Sequence, residues 1–515
     1  MEASTAESDS ATTLPSTSLP RSASISALEQ IDAEVAPMRI YLFSECFWPY
    51  CSGSSRRLWM VAEKLLHMGH HLHIVTGHDG AVDWPPGQVE NCTFSIMPGY
   101  EPPGTGFTFC VPWVGMISSQ IREFSPDVIH VVEETLCSVV HLSVAHVLGV
   151  PAIWSHHTLN YVTAQWYLGQ SAAQAINPSF QWILRRFSGC ARANLAVSAA
   201  HAESLRTETR CKTDVHVWTT GVSDDFGPHM RDAKWRAEML PPGTPTDVPL
   251  MVTVGRLAPE KELEFLLPLM ERVPEVYLCM VGDGPARAQL ESLLPKARTV
   301  FLGRRSGEEL AKSYATGDVF VHTSTTETFG QVYLEAMKSG TPVVAAPGLQ
   351  LQEFCHDSEH GQLFKAHDVD DAERALRQGL RKRDFLSVNC VRDSAQYTWQ
   401  KAADEVQLIY QAAKGTGKQT WRFTGWWVTT LRVIRELLVI VWIVVLTAVA
   451  VALMALTCIR IQGTKDRRMT GGKLNVRNQV EIQKKKNDGK ISPKSSDAES
   501  KAEWSKDKLP GEKQP

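Results

Sequence analysis

The chain has 515 residues, 43% of them hydrophobic, and a formal net charge of −3. That length suits two or three domains, and the charge balance excludes nucleic-acid binding by the protein as a whole. The eleven cysteines are scattered and form no Cys-x-x-Cys pair, so no thiolate metal site is expected. A reducing compartment with free buried thiols is the default reading, although an Asn-Cys-Thr triplet at Asn91 points the other way.

Residues 1–37 are rich in Ser, Thr and Ala and carry six acids against one base, Arg21. They lack the apolar stretch of a secretory signal and the acid-poor composition of a transit peptide, so a disordered leader is expected. From Met38 the pattern changes. "MRIYLFSEC" predicts a buried strand, "SGSSRRLWMVAEKLLHMGH" a loop and an amphipathic helix, and "HLHIVTG" a second strand. Further strands are expected at 127–133, 151–157 and 193–199.

A second series starts near Val215 with "VHVWTTGV", "LMVTVGR", "VYLCMVGDG", "TVFLGRR", "VFVHTST" and "TPVVAAP". Strands alternating with helices predict parallel sheets covered on both faces. The expected fold class is α/β, with two doubly wound domains over 38–210 and 211–396 and a closing helix over 397–413. Ligands of open α/β sheets bind outside the carboxyl ends of the strands. The site is therefore expected in the cleft where the two sheets face each other.

The run Leu437 to Ile459 holds 23 residues and no charge, which at about 1.5 Å per residue crosses the hydrocarbon core of a bilayer. A single transmembrane helix over 436–460 is expected. Residues 463–515 are polar and Lys-rich, and from 460 onward the net charge is +7. They predict a disordered basic tail near a membrane surface. Basic residues flank both ends of the run, so orientation stays open.

Three motifs carry chemistry. In "GRLAPEK" (255–261), Arg256 and Lys261 follow a strand end, where two cations suit a diphosphate. "GDGP" (282–285) is a turn that exposes backbone but lacks a full Gly-x-Gly-x-x-Gly. "TSTTETFGQVYLEAM" places Glu327 in a loop and Glu335 on the following helix. The two converge on one ligand only if the loop folds back over the helix start. Gly53 in "SGSSRR" sits where a helix N-terminus receives an anion, although an ordinary βα turn is the plainer reading of that stretch alone. His156 and His157 end another first-domain strand and face opposite sides of it. "DVDD" (368–371) reads as a helix start.

Taken together, "GRLAPEK", "GDGP", "TETFGQVYLEAM" and "SGTPVVA" resemble the donor-binding signature of the family 4 retaining glycosyltransferases, over residues 38–413. The resemblance implies the GT-B fold, two facing Rossmann-like domains. "YCSGSSRR", "WSHHT", "TTGVSDDFGP" and "YATGDVFVHTSTTETFGQVYLEAM" are most similar to sulfoquinovosyltransferases, which transfer sulfoquinovose from UDP to diacylglycerol. By that resemblance Arg256 and Lys261 bind the donor diphosphate, and Glu327 contacts the sugar. Glu335 holds the ribose, and the Phe329 and Gly330 amides meet the diphosphate. Gly53 lets a loop approach the phosphates, and His157, or failing that His156, lies near sugar and acceptor. No cofactor and no metal are implied.

The chain departs from that group in its long apolar run and acidic leader, which do not suit the plastid location the resemblance suggests. A mannosyl- or glucosyltransferase acting on a lipid or glycan is the main alternative. A sugar-nucleotide epimerase of the same fold and a non-catalytic membrane scaffold are more distant ones.

Overall fold

The structure is a computed structural model and describes residues 36–47, 53–77, 91–101, 108–157, 170–325, 327, 330–348 and 351–415. The leader through residue 35, the expected membrane helix over 436–460 and the basic tail lie outside the described residues. Among the described residues no helix is long and apolar enough to cross a membrane.

The first sheet contains β1 (Arg39–Phe43), β2 (His71–Thr76), β3 (Cys92–Ile96), β6 (Val128–Val132), β7 (Ala152–His156), β8 (Ala193–Ala196) and β9 (Val215–Val217). Between them β4 (Gly99–Tyr100) and β5 (Phe109–Cys110) form a small antiparallel hairpin. The sheet is parallel throughout, in the order β3-β2-β1-β6-β7-β8-β9. The second sheet contains β10 (Leu250–Val254), β11 (Tyr277–Val281), β12 (Thr299–Gly303), β13 (Val319–His322), β14 (Val343–Ala345) and β15 (Gly361–Leu363). It is parallel too, in the order β12-β11-β10-β13-β14-β15. The central strands are mostly apolar and buried along their whole length, "VIHVV" in β6 and "LMVTV" in β10, because helices cover both faces.

Both sheets reverse their order at a central strand. β1 lies between β2 and β6, and β10 lies between β11 and β13. Helices wound in opposite senses part at such a reversal and leave a crevice at the strand ends. The loops after β1, β6, β10 and β13 therefore frame the cleft.

One strand joins a different sheet from the one expected. Val215–Val217 pairs with β8, with Leu195 opposite His216, and so belongs to the first domain. The expected boundary at 210/211 moves past Val217. Periodicity marks a strand but not its partner. The hairpin, β3 and the short β15 were not anticipated either.

The closing helix spans Trp399–Gly415 and packs back onto the first domain. The Trp218 indole N–H donates to the Ala402 carbonyl at 2.8 Å, and the Tyr410 hydroxyl lies 2.6 Å from His130 Nδ1. The chain thus crosses between domains twice, and the crossings touch. Val222 N donates to Tyr397 O at 3.0 Å. A Cβ on Gly221 would sit 2.3 Å from Trp399 N, so only glycine lets these backbones meet.

Arg57 fastens this crossing. It is 3% exposed, its guanidinium lies 3.9 Å from the centre of the Trp218 ring, and it donates to the carbonyls of Trp218 and Thr219. Burial pushes its pKa down to about 9, opposed by the Glu405 carboxylate. Elsewhere "DVDD" starts a helix as expected. Asp368 caps Val369–Arg381 by accepting from Asp371 N. Nine described cysteines are free thiols.

Candidate active site

The loop after β10 owes its shape to the loop after β11. Gly255 N donates to Val281 O and Leu257 N to Asp283 O, both at 3.0 Å. The two loops lie backbone against backbone. A Cβ on Gly282 would fall 1.9 Å from Gly255 O, and one on Gly284 would fall 2.4 Å from Leu257 O. Both glycines have positive φ, +144° and +159°. "GDGP" is thus a buttress that sets the course of "GRLAPEK".

A short 3-10 turn, Pro259–Lys261, then carries Lys261 toward the loop after β13. The Thr323 hydroxyl donates to Lys261 O at 2.6 Å, and the Ser324 hydroxyl to Glu260 O at 2.9 Å. These bonds fasten the loops of two adjacent strands to each other. They leave the Lys261 ammonium paired with the Glu327 carboxylate. His322 Nε2 donates to the same carboxylate at 3.1 Å. Burial alone would raise the Glu327 pKa. The Lys261 charge and the His322 hydrogen bond outweigh it and hold the group well below the usual carboxylate range. Arg256, on the same loop, is exposed and has no hydrogen bond or ion pair among the described residues.

The helix bearing Glu335 is Gln331–Lys338, so Glu335 lies just over one turn in. Gly330 precedes it at φ +75°, with no side-chain cap on the first N–H groups. Glu335 is 4% exposed. Its Oε2 accepts from the Tyr314 hydroxyl at 2.9 Å, and its Oε1 accepts from Arg56 Nη1 at 2.6 Å. Burial raises its pKa, and the Arg56 charge and the Tyr314 hydrogen bond draw it back.

An aromatic layer underlies both glutamates. The Phe320 ring lies 5.7 Å from Tyr314, 5.8 Å from His322 and 5.9 Å from Tyr333. Tyr314 at one end holds Glu335, and His322 at the other holds Glu327. This layer orients the pair without any direct contact between the carboxylates.

The first domain contributes the start of helix Gly53–His67. Gly53 is exposed, and a Cβ there would meet open space, so packing does not demand glycine. Ser54 donates to Glu133 Oε1 at 2.9 Å and links the loops after β1 and β6. Glu133 adopts φ +66°, rare for a residue with a side chain. Burial pushes its pKa up to about 7, with the Ser54 bond opposing.

The structure brings Lys261, Glu327, Gly330 and Glu335 together on one side of the cleft, with Arg256 on the same strand-end loop as Lys261. Phe329 lies outside the described residues. His157 Nε2 lies 3.1 Å from the Ser155 hydroxyl, and the ring stands edge-on to Trp218 at 5.9 Å. Burial and the Arg57 charge keep that imidazole well below its ordinary pKa. His156 donates from Nδ1 to Glu134 at 2.7 Å. Both histidines are buried, His156 at 0% and His157 at 6% exposed.

Sequence reasoning missed His322, Tyr314 and Arg56. A histidine ending "VFVH" just before a Glu-bearing loop was a readable signal. Tyr314 and Arg56 become visible only through contacts distant in sequence.

Residues 51–226 match the family model "Glycosyltransferase Family 4", and residues 237–394 match "Glycosyl transferases group 1". A sulfoquinovosyl transferase of Arabidopsis thaliana is 32% identical over 381 residues, covering 72% of this chain and 73% of that protein. A GDP-mannose-dependent alpha-mannosyltransferase of Mycobacterium tuberculosis is 32% identical over 390 residues, covering 73% and 97%. Among solved structures, the HepE protein of Anabaena in complex with UDP and glucose aligns at a TM-score of 0.57 and 18% identity. That alignment covers 73% of this chain and 100% of that one.

Proposed function

Since the chain belongs to the family 4 retaining glycosyltransferases of GT-B fold, and so is a hexosyltransferase, we propose that it transfers sulfoquinovose from UDP-sulfoquinovose to diacylglycerol. The observation that carries the donor part is the second-domain site. Two loops at the order reversal are bonded together and present Lys261, Glu327 and Glu335 beside a helix start. The similarity to the Arabidopsis sulfoquinovosyl transferase supports the sugar. The apolar run near the C-terminus supports a membrane lipid as acceptor, with the protein anchored by one pass.

In this reading Arg256 and Lys261 take the donor diphosphate. Their charge stabilises the diphosphate as the glycosidic bond breaks. Glu327 holds sugar hydroxyls beside the reacting carbon, and Glu335 holds the ribose. The first N–H groups of Gln331–Lys338 and of Gly53–His67 approach the phosphates from the two domains. The acceptor hydroxyl attacks the face that the diphosphate leaves, and the departing phosphate takes its proton, so configuration is retained. Arg and Lys supply the cationic charge, and no metal ion takes part. His157, at the end of β7, lies near the sugar and the acceptor in this reading.

Mannosyl transfer from GDP-mannose is the second reading. It is favoured by the mycobacterial relative, which this chain matches at equal identity and over more of that protein's length.

The test is transfer by the purified full chain from separate UDP- and GDP-sugars into a lipid extract. Label entering an anionic, sulfur-containing lipid only from UDP-sulfoquinovose supports the proposal. Label entering only from GDP-mannose overturns it.

A further inference from the structure

Arg56 and Glu335 are 279 residues apart and meet across the cleft at 2.6 Å. Their side chains are 25% and 5% exposed, so the carboxylate is enclosed while the guanidinium keeps an open side. The two oxygens of Glu335 are not equivalent. Oε2 is held from behind by Tyr314, which is itself fully buried. Oε1 is the oxygen that faces the first domain, and the Arg56 guanidinium covers it. A second cross-domain contact stands alongside. The Glu353 carboxylate, on the second domain, accepts from the Ala199 and Ala200 N–H groups at 3.0 and 2.8 Å, at the start of first-domain helix Ala199–Thr207.

If Glu335 holds the ribose, as the donor-site reading has it, the diol must reach Oε1. It then takes the place of the Arg56 guanidinium. Arg56 is the fourth residue of helix Gly53–His67, whose first turn has no acidic residue and whose N–H groups favour an anion. The Phe226 ring, 5.3 Å from the guanidinium carbon, gives the side chain an apolar rest. A guanidinium displaced from a carboxylate at this place finds the donor diphosphate as the other anion within the same cleft. Its planar fork suits phosphate oxygens.

Resting on the donor-site reading above, we infer that Arg56 is a donor-positioning residue. It exchanges Glu335 for the diphosphate when a nucleotide sugar binds. It is the cation the first domain adds to Arg256 and Lys261 from the second, so that the diphosphate itself ties the domains together. No covalent step is involved.

The test uses the full chain and calorimetric binding of UDP and uridine, with GDP and guanosine run in parallel. For Arg56→Gln, uridine should bind as well as to the wild type or more tightly, because the competitor for Glu335 is gone. UDP should bind about tenfold more weakly, because one charge-assisted contact to phosphate is lost. The ratio of diphosphate to nucleoside affinity therefore falls, and Arg56→Lys restores part of it. Each variant is compared at a matched folded fraction, read from its unfolding curve. An unchanged ratio in Arg56→Gln overturns the inference. So does an equal loss for uridine and UDP, which marks a purely structural ion pair. If the wild type binds neither diphosphate, the donor-site reading itself fails, and that outcome is separate from the two above.

Discussion

Lys261 and Glu327 pair between the loops that leave β10 and β13, where the second sheet reverses its strand order. The pair is held from both sides, by the Thr323 bond to the Lys261 carbonyl and by His322 on the carboxylate. On the proposed reading, a diphosphate competes with Glu327 for Lys261, and a sugar competes with Lys261 for Glu327. The pair therefore keeps each group oriented for the ligand that replaces its partner.

Replacing Glu327 by Gln keeps the shape and removes the charge. Transfer should fall by about a hundredfold, the scale for losing one electrostatic contact to a transition state. The fall should be in kcat more than in donor KM. Steady-state kinetics check it, and wild-type rates from the variant would remove Glu327 from the mechanism.

Tyr314→Phe deletes one hydroxyl from beneath Glu335. The buried carboxylate loses a donor, so nucleoside affinity should drop by about tenfold, from roughly 1.4 kcal/mol of lost support. Calorimetry with uridine reads this directly. The same variant should leave kcat at saturating donor within about twofold, because the hydroxyl supports Glu335, the carboxylate proposed to hold the ribose.

Gly282→Ala forces a Cβ onto the Gly255 carbonyl at a positive φ. The variant should be destabilised by about 1–3 kcal/mol. Donor KM should rise because the loop bearing Arg256 and Lys261 is displaced. Urea unfolding and donor titration check the two parts. Gly53→Ala is the contrast, since its Cβ meets open space. Its unfolding midpoint should stay near that of the wild type.

Glu45 follows β1, is 4% exposed, and accepts from Cys110 N at 3.3 Å. Burial, reinforced by Glu133, pushes its pKa up to about 8. A carboxyl with a raised native pKa binds its proton more tightly when folded. Its contribution to stability is complete below the usual carboxylate pKa and is lost as pH rises toward 8. Between those limits the slope approaches 1.4 kcal/mol per pH unit, roughly, for one group. Glu45→Gln should flatten the fall in stability between about pH 5 and 8. Denaturant titrations at several pH values check it, and an unchanged slope would show that Glu45 is ionised in the folded protein.

Local pattern in the sequence determined the α/β class, the two parallel sheets and the placement of the cleft at the strand ends. Apolar runs such as "LMVTV" and the helical period of "GEELAKSYATG" report how each residue is buried, and burial is a local property. The same reading located Arg256, Lys261, Glu327 and Glu335, because their motifs sit next to strand ends. Only the tertiary structure decided what meets what. Val215–Val217 joined the first sheet, "GDGP" proved to support its neighbour loop, and His157 met the edge of the Trp218 ring. Glu335 gained Tyr314 and Arg56, the latter from 279 residues away. No spacing in the chain encodes such a pair, because its energy arises only when the fold brings a buried carboxylate and a cation together away from water.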